Sequence, residues 1–393
     1  MAPIPRLRDY TGPALLSYGF RPFFLFGSLY AGLAILAWLP MFYGELELPT
    51  SFAPRDWHIH ELLYGFLPAV ITGFLLTAVP NWTGRMPLQG RPLLVLVLVW
   101  AAGRVAVAFS AWIGWQAAAV VDSAFLVLVA AAMGREIVKG RNWRNLKVLV
   151  AIGVLVLGNG AFHVEAHILG AAEYGVRLGI AATMMLIMLV GGRIIPSFTR
   201  NWLARENPGR LPAPFGRFDT TLMIASGVAL LAWIAAPEGW LTGAALLGAG
   251  VLQTARVARW AGDRTWRDRL VLILHVAYVF VPLGFILTGL AALKFLPAAA
   301  GIHAWTGGAM GLMTLAVMSR ASLGHTGRAL VASASTQGLY LLLFVGVLAR
   351  VCAALHPGSS DVLLHVAGLS WSAAFVGFAL AYWSVFTRPR ASS

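Results

Sequence analysis

The segment RDWHIHELLYGF (residues 55–66) runs into AVITGFLLTAV (residues 69–79), an apolar stretch that contains no charged residue. A helix needs about 20 apolar residues to cross a hydrocarbon core about 30 Å thick, and lipid admits only helices or closed barrels. The two histidines and the glutamate of the first segment therefore stand at the start of a predicted membrane-spanning helix. Polar groups are costly inside a membrane, and histidine is the commonest metal ligand. The segment therefore indicates either structural hydrogen bonds or a functional site.

The other apolar runs extend this pattern over the whole chain. Of the 393 residues, 59% are hydrophobic and 11% are charged, and the mean hydropathy is +0.77, far more apolar than a soluble domain. The runs are too long and unbroken for barrel strands, so we predict an all-α, polytopic integral membrane protein that forms a single membrane domain over residues 1–393. The twelve predicted spans are residues 22–42, 58–79, 92–112, 115–134, 147–170, 174–195, 219–236, 239–260, 267–293, 298–319, 332–355 and 361–386.

The basic residues indicate how the chain is oriented. Of the 29 Lys and Arg residues, 24 lie on alternate connections between the spans, and the positive-inside rule then places both termini in the cytoplasm. This orientation puts residues 43–57 on the outer side and residues 196–218 and 320–329 on the cytoplasmic side. The net charge of +14 is an orientation signal, and we expect no nucleic-acid partner.

Three spans end with related sequences at the predicted cytoplasmic side. AVPNWTGR follows the second span, GGRIIPSFTRNWL the sixth and SRASLGHTGR the tenth, so the interval is four spans each time. This spacing suggests three fused four-helix units.

The single cysteine, Cys352, excludes several cofactor sites within this chain. One thiol allows no intramolecular disulfide, no covalent attachment of a c-type haem and no four-thiolate iron–sulfur site. A metal must therefore be bound mainly by histidines. Seven of the nine histidines lie near the outer ends of their spans, and His275 and His325 lie toward the cytoplasm; the outer seven are His58, His60, His163, His167, His303, His356 and His365.

The spacing of the outer histidines narrows their roles. His163 and His167 are i and i+4 on one helical face, about 6 Å apart, which suits either one metal or two separate ligands. His58 and His60 diverge by about 200° on a helix, so only one of them points at a given neighbour. Hydrogen bonding to an adjacent helix or an interfacial position is the alternative for each.

Five charged residues fall within the predicted spans: Arg104, Asp122, Glu165, Arg177 and Arg350. Charges inside a membrane are candidates for function, although ion pairing alone would also satisfy them. We count Glu61, Glu165 and Asp122 as candidate proton carriers. Glu61 and Glu165 are also candidate hydrogen-bond partners for metal-bound histidines. Since adjacent helix positions diverge by about 100°, each carboxylate is expected to serve a histidine on another helix.

Several motifs together resemble those of a known family. WHIHELLYGF, GFLLTAVPNWTGR, GGRIIPSFTRNWL, ILHVAYVFVPLG, HAWTGGAMGLMTLAVMSRASLGHTGR and the early YGFRPFF are similar to segments of the NnrS family of bacterial inner-membrane proteins. The likeness runs from about Tyr18 to Arg328. It implies a twelve-helix protein that binds haem, has been associated with copper and protects against nitrosative stress caused by nitric oxide. The family's histidines fall on His58, His60, His163, His275, His303 and His325.

With this resemblance, we expect at least one haem b in the outer half of the protein. Its axial ligands would come from His58 or His60, from His163 or His167, and from His303, and Arg104 and Arg177 would hold its propionates. The competing arrangement places the haem on His275, nearer the cytoplasm, and leaves the outer cluster for copper. His325 lies about one membrane thickness, roughly 30 Å, from His60, too far to share a metal. It is expected to serve a second haem or a structural network.

The expected function is binding of nitric oxide in the bacterial inner membrane, with its reduction to nitrous oxide as the enzymatic possibility. Reduction consumes two electrons and two protons, so it needs an open metal position, a proton route and an electron donor, either a quinol or a periplasmic carrier. A polytopic transporter and a sensor of nitric oxide or metal without turnover are the alternatives.

Overall fold

The computed structural model describes residues 10–83 and 87–390. Arg6, Arg8 and Arg85, three of the basic residues that indicate the orientation, lie outside these ranges. The regular structure within the described ranges is helical throughout, without a strand. The predicted all-α fold class is therefore confirmed.

The first half of the chain forms six long helices. Their bounds are α1 (Phe20–Phe42), α2 (Pro54–Ala78), α3 (Arg91–Ala108), α4 (Trp115–Lys139), α5 (Leu146–Leu169) and α6 (Tyr174–Glu206). A one-turn helix, Ser110–Ile113, follows α3. The predicted spans agree with these helices, except that α6 continues past its predicted end at residue 195 and includes Pro196.

The second half forms the remaining long helices. Their bounds are α7 (Arg217–Ala235), α8 (Trp240–Ala258), α9 (Arg269–Ala292), α10 (residues 298–325), α11 (Ala334–Leu355) and α12 (Ser360–Ala381). A short helix, Trp383–Thr387, lies near the C-terminus.

Eleven helices of the described chain are long and apolar enough to cross a membrane, which makes the protein a multi-pass membrane protein. The twelfth predicted span, residues 298–319, lies in α10 and is helical, but it is not one of the eleven. Glycines, His303 and two threonines lower the hydropathy of this stretch.

Three of the long helices contain a π-helical segment directly after a histidine motif. Glu61–Phe66 follows His60 in α2, Glu165–Leu169 begins two residues after His163 in α5, and Ala304–Leu312 follows His303 in α10. Single π-helical turns within α-helices are rare and occur frequently at functional sites, because they change the direction of the side chains that follow. The histidine motifs are therefore also the places where the helices are irregular.

The described chain divides into two compact units. Unit 1 contains the described residues up to Gly179 together with 321–329 and those from 375 onward, and unit 2 contains residues 180–320 and 330–374. Large aromatic side chains fill the interior of unit 1, where Phe20, Phe23, Phe24 and Phe66 are almost fully buried. The single membrane domain and the three four-helix units predicted from the sequence stay predictions.

Candidate metal centre

Two histidines and an aspartate from three helices of unit 1 converge on one point. His60 comes from α2, Asp122 from α4 and His163 from α5, and one ligand atom of each lies within 4.8 Å of the other two. Asp122 Oδ2 lies 3.1 Å from His163 Nε2 and 3.3 Å from His60 Nε2. All three side chains are buried. Two imidazole nitrogens and a carboxylate oxygen form a donor set that suits a transition metal ion.

Four further polar side chains surround these three. Arg104 of α3 donates from Nη1 to Glu61 Oε1 at 2.7 Å and from Nη2 to Asp122 Oδ1. Asn159 of α5 donates from Nδ2 to Asp122 Oδ2 at 2.7 Å. Tyr30 of α1 donates to Glu61 Oε2. The network therefore joins five helices of unit 1.

Local backbone features let these groups meet. Asn159 and His163 are four residues apart on α5, so both face the same neighbour. Gly103 lies where a Cβ atom would be 3.1 Å from the Cα of Asp122, so α3 and α4 approach closely and bring Arg104 to the carboxylate. The π-helical segment begins at Glu61, directly after His60.

The acceptors around His60 suit a bound cation or a protonated imidazole ring. Its Nδ1 lies 2.8 Å from Glu61 Oε1, and its Nε2 lies 3.0 Å from Asn159 Oδ1 and 3.3 Å from Asp122 Oδ2. A neutral imidazole has one N–H group, yet both nitrogens face acceptors. A metal-bound histidine usually donates its other ring nitrogen to a carboxylate, and Glu61 is placed to accept that bond while Nε2 binds the ion.

The charges of the cluster do not balance. Glu61 and Asp122 bring two negative charges, and Arg104 is the single permanent positive charge in direct contact with them. A buried charge without compensation is strongly unfavourable. A metal cation at His60, Asp122 and His163 would supply the missing positive charge, as would a proton on one of the two histidines.

His163 differs from His60 in its second ring nitrogen. Its Nε2 faces Asp122, whereas its Nδ1 is buried without a hydrogen-bond partner among the described residues. An ion bound at Nε2 would leave Nδ1 without a partner, so the case for His163 as a ligand is made by the position of Nε2.

A haem does not fit between the two histidines of this cluster. The ring centroids of His60 and His163 are 4.8 Å apart in an edge-to-face arrangement, and the ring of Phe52 stacks on His60 at 5.1 Å. The imidazoles are in contact with each other, which leaves no gap for a porphyrin plane between them. The residues present fit a small ion and do not fit a bis-histidine haem at this pair.

His58 and His167 lie at the edge of the cluster. His58 stacks on Trp38 with centroids 4.1 Å apart, so the predicted divergence of His58 and His60 is confirmed. His167 bonds through Nδ1 to the carbonyl oxygen of His163 at 2.7 Å and stacks on Trp115 at 5.0 Å. Of each histidine pair, one member enters the cluster and the other packs against a tryptophan.

The predictions for the glutamates need correction. Glu61, predicted to serve a histidine on another helix, contacts its own neighbour His60 at 2.8 Å, at the point where a π-helical segment begins. Glu165 accepts hydrogen bonds from the backbone N–H groups of residues 173–175 at 2.8–3.1 Å and so caps the start of α6.

Arg177, a predicted propionate ligand, lies in the same turn. Its Nη1 donates to Glu173 at 3.0 Å, and its guanidinium lies over the ring of Tyr174 at 4.6 Å. These contacts stabilise the start of α6.

The other predicted ligands lie outside the cluster. His275 of unit 2 bonds through Nε2 to Thr199 Oγ1 at 2.8 Å, and its Nδ1 is buried without a hydrogen-bond partner among the described residues. His303, also of unit 2, lies 3.4 Å from Thr306 Oγ1. His325 of unit 1 packs against aromatic rings near the start of α1 at 5.9 Å. Within the described residues, the one group with metal-ligand spacing is His60, Asp122 and His163.

Sequence reasoning missed Asn159 and Tyr30. Asn159 carried a signal, because it stands four residues before His163 and shares its helical face. Tyr30 carried none, since nothing in the sequence of α1 indicates that it faces Glu61.

The fold and the cluster define a class: a multi-pass membrane protein with a buried histidine–carboxylate centre suited to a transition metal ion. The particular family follows from the whole chain, because the family model described as NnrS protein matches residues 14–390. The protein therefore belongs to the NnrS family, and the match covers more of the chain than the motifs from Tyr18 to Arg328. A search of curated proteins returned no match.

Proposed function

We propose that this protein binds nitric oxide at a transition metal ion held by His60, Asp122 and His163. The observation that carries the proposal is the convergence of these three side chains in a buried cluster that holds two carboxylates and one arginine. Family membership supports the choice of nitric oxide, since the resemblance to the NnrS family implies a role in nitrosative stress. The proposed location is the bacterial inner membrane, with both termini in the cytoplasm.

The donor set favours copper or iron as the ion. Imidazole nitrogens suit copper, iron and zinc, and two histidines with one carboxylate leave further positions of the ion open. An open position is what a small ligand such as nitric oxide requires. Since a haem does not fit between His60 and His163, the haem implied by the resemblance has no part in the proposed site.

The surrounding residues have distinct tasks in this proposal. Glu61 fixes the ring of His60 through Nδ1, and Arg104 holds both carboxylates in place. Asn159 orients Asp122. The hydrogen bonds from Tyr30 through Glu61 to His60 form a connected path along which a proton can move.

The proposal extends to reduction of nitric oxide when electrons are supplied. Two NO molecules, two electrons and two protons give one N₂O and one water. The metal ion would bind the NO and change oxidation state, the path through Glu61 would deliver protons, and a quinol or a periplasmic carrier would donate the electrons.

Loading the purified protein with metal tests the proposal. Protein in detergent is incubated anaerobically with copper or iron, washed with a weak chelator and analysed for metal content, and nitric oxide is then added under electron paramagnetic resonance and absorption spectroscopy. The wild type is expected to retain about one ion per chain and to give a spectrum that changes with nitric oxide. His163→Ala is expected to lose both properties.

His365→Ala is the matched control, because His365 is exposed and its Nδ1 bonds to the carbonyl oxygen of Asp361. It should behave as the wild type. Retention of the ion in His163→Ala would contradict the site. A retained ion that does not respond to nitric oxide would contradict the ligand and favour a metal transporter or a metal sensor. Measuring N₂O with an added reductant decides between binding and turnover.

A further inference from the structure

A cavity with four arginines opens in unit 2, and its lining includes no residue of the metal centre. Its volume is 410 Å³, and it is lined by residues at the end of α6, the start of α9, the end of α10 and the start of α11. The positive-inside orientation assigns these helix ends to the cytoplasmic side. The polar residues of its lining include Arg205, Arg267, Arg269 and Arg320.

The lining carries a net positive charge. Two carboxylates, Glu206 and Asp268, face the four arginines. Asp268 is already engaged, because its Oδ1 accepts the backbone N–H groups of Leu270 and Val271 at 3.0 and 3.1 Å and so caps α9. The cavity therefore offers more guanidinium groups than its carboxylates can pair.

Arg320 is the least exposed of the four arginines, and its guanidinium has no carboxylate within hydrogen-bond distance. Its side chain is 14% exposed and lies over the ring of Phe198 at 4.3 Å. Its Nη1 is buried without a hydrogen-bond partner among the described residues, and the nearest carboxylate oxygen, Asp268 Oδ2, is 3.9 Å away, beyond hydrogen-bond distance. A planar guanidinium with unused donors matches the oxygens of a phosphate group.

One side of the cavity's rim is apolar. Leu330 and Val331 line it and are 44% and 70% exposed, and the indole of Trp202 lines it as well. Tryptophan at the interface and exposed aliphatic side chains are what acyl chains meet at a membrane surface. This apolar side offers contacts to acyl chains, which a soluble phosphate compound lacks.

We propose that this cavity binds the phosphate headgroup of an anionic phospholipid from the cytoplasmic leaflet, with Arg320 as the central contact and Arg205, Arg267 and Arg269 around it. Basic pockets between membrane helices on the cytoplasmic side recognise anionic headgroups in this way. The acyl chains of the lipid run past Leu330 and Val331.

Native mass spectrometry tests this proposal. The full-length protein is delipidated in detergent and offered equal amounts of phosphatidylglycerol and phosphatidylcholine with the same acyl chains. The wild type is expected to retain phosphatidylglycerol in preference. Arg320→Gln should lower that retention about tenfold, the effect of losing one charge-assisted hydrogen bond. Arg217→Gln is the control, because Arg217 is exposed in the same unit and does not line the cavity.

A second variant guards against misfolding of Arg320→Gln. Arg267 and Arg269 are exposed at the rim, so the double variant R267Q/R269Q is expected to fold, as checked by size-exclusion chromatography, and also to lose phosphatidylglycerol. Unchanged retention in both variants would overturn the proposal. Binding of inorganic phosphate without preference for phosphatidylglycerol would also overturn it, by showing a site for a soluble phosphate.

Discussion

Replacing Asp122 by asparagine removes one negative charge from the metal centre and keeps the size of the side chain. Oδ1 of Asp122 accepts from Arg104, and Oδ2 accepts from Asn159. A carboxamide has one oxygen, so in either orientation its NH₂ group faces a donor. Losing one charge-assisted hydrogen bond is worth about 1.5–3 kcal/mol, and we expect the free energy of unfolding to fall by about that amount. The fold should persist, because the charges of Glu61 and Arg104 then balance each other.

The effect on metal binding should be larger than the effect on stability. Asparagine removes the anionic ligand, and even the hydrogen-bond partners of metal ligands are worth about 10- to 100-fold in affinity. We therefore expect Asp122→Asn to lower metal affinity by at least about 100-fold. Metal content after equilibration with a chelator measures the affinity, and thermal unfolding followed by tryptophan fluorescence measures the stability.

Asp263→Asn is the matched control, since Asp263 is exposed and pairs with Arg210 at the surface. It should leave metal binding unchanged. Wild-type metal affinity in Asp122→Asn would refute the assignment of this cluster as a metal centre. Loss of metal with unchanged stability would refute the hydrogen-bond account of Asp122 and leave the ligand role intact.

Three other variants test neighbouring contacts. Arg104→Gln leaves two buried carboxylates without an arginine, so the metal-free protein should lose about 3–5 kcal/mol of stability. Bound metal should restore part of that stability. Equal losses with and without metal in thermal unfolding would contradict the charge argument. Gly175→Ala places a Cβ 2.6 Å from the backbone of Phe162 and should destabilise the protein by about 1–3 kcal/mol, whereas Gly160→Ala, where no atom lies within 4 Å, should have little effect in the same assay. His275→Ala should keep the metal ion of the wild type, because His275 bonds to Thr199 and lies outside the cluster. Loss of that ion on metal analysis would show that His275 is part of the metal site.

Apolar run length was sufficient to predict the helices. Each predicted span falls on a helix, because membrane helices are selected by a property that each segment carries by itself. The tenth span shows the limit of this reasoning. Glycines and polar residues lower its hydropathy below that of its neighbours, although it forms a helix over residues 298–325.

Two of the three residues of the cluster, His60 and His163, were among the histidines expected to bind metal, whereas Asp122 was expected to carry protons. His60, His163 and Asp122 were recognisable as costly groups within apolar spans. Which of them meet depends on helix packing, which single-sequence patterns do not encode. The 100° between adjacent helix positions favoured a partner for Glu61 on another helix, yet its flexible side chain reaches Nδ1 of His60.

Glu165 illustrates a different limit. Its sequence position beside His163 and His167 favoured a role at the metal, yet the start of α6 lies within reach and presents backbone N–H groups that need acceptors. A carboxylate satisfies such groups and also interacts favourably with the helix dipole. Sequence alone could not decide between the two roles.

The most direct test of the metal centre is an X-ray absorption spectrum at the edge of the transition metal bound to the purified protein, compared between wild type and the double variant H60A/H163A. We predict an ion bound by two imidazole nitrogens and a carboxylate oxygen in the wild type, and no such ion in the double variant. An ion that persists in the double variant, or a porphyrin-bound iron that disappears with these two histidines, would contradict the metal centre proposed for this cluster.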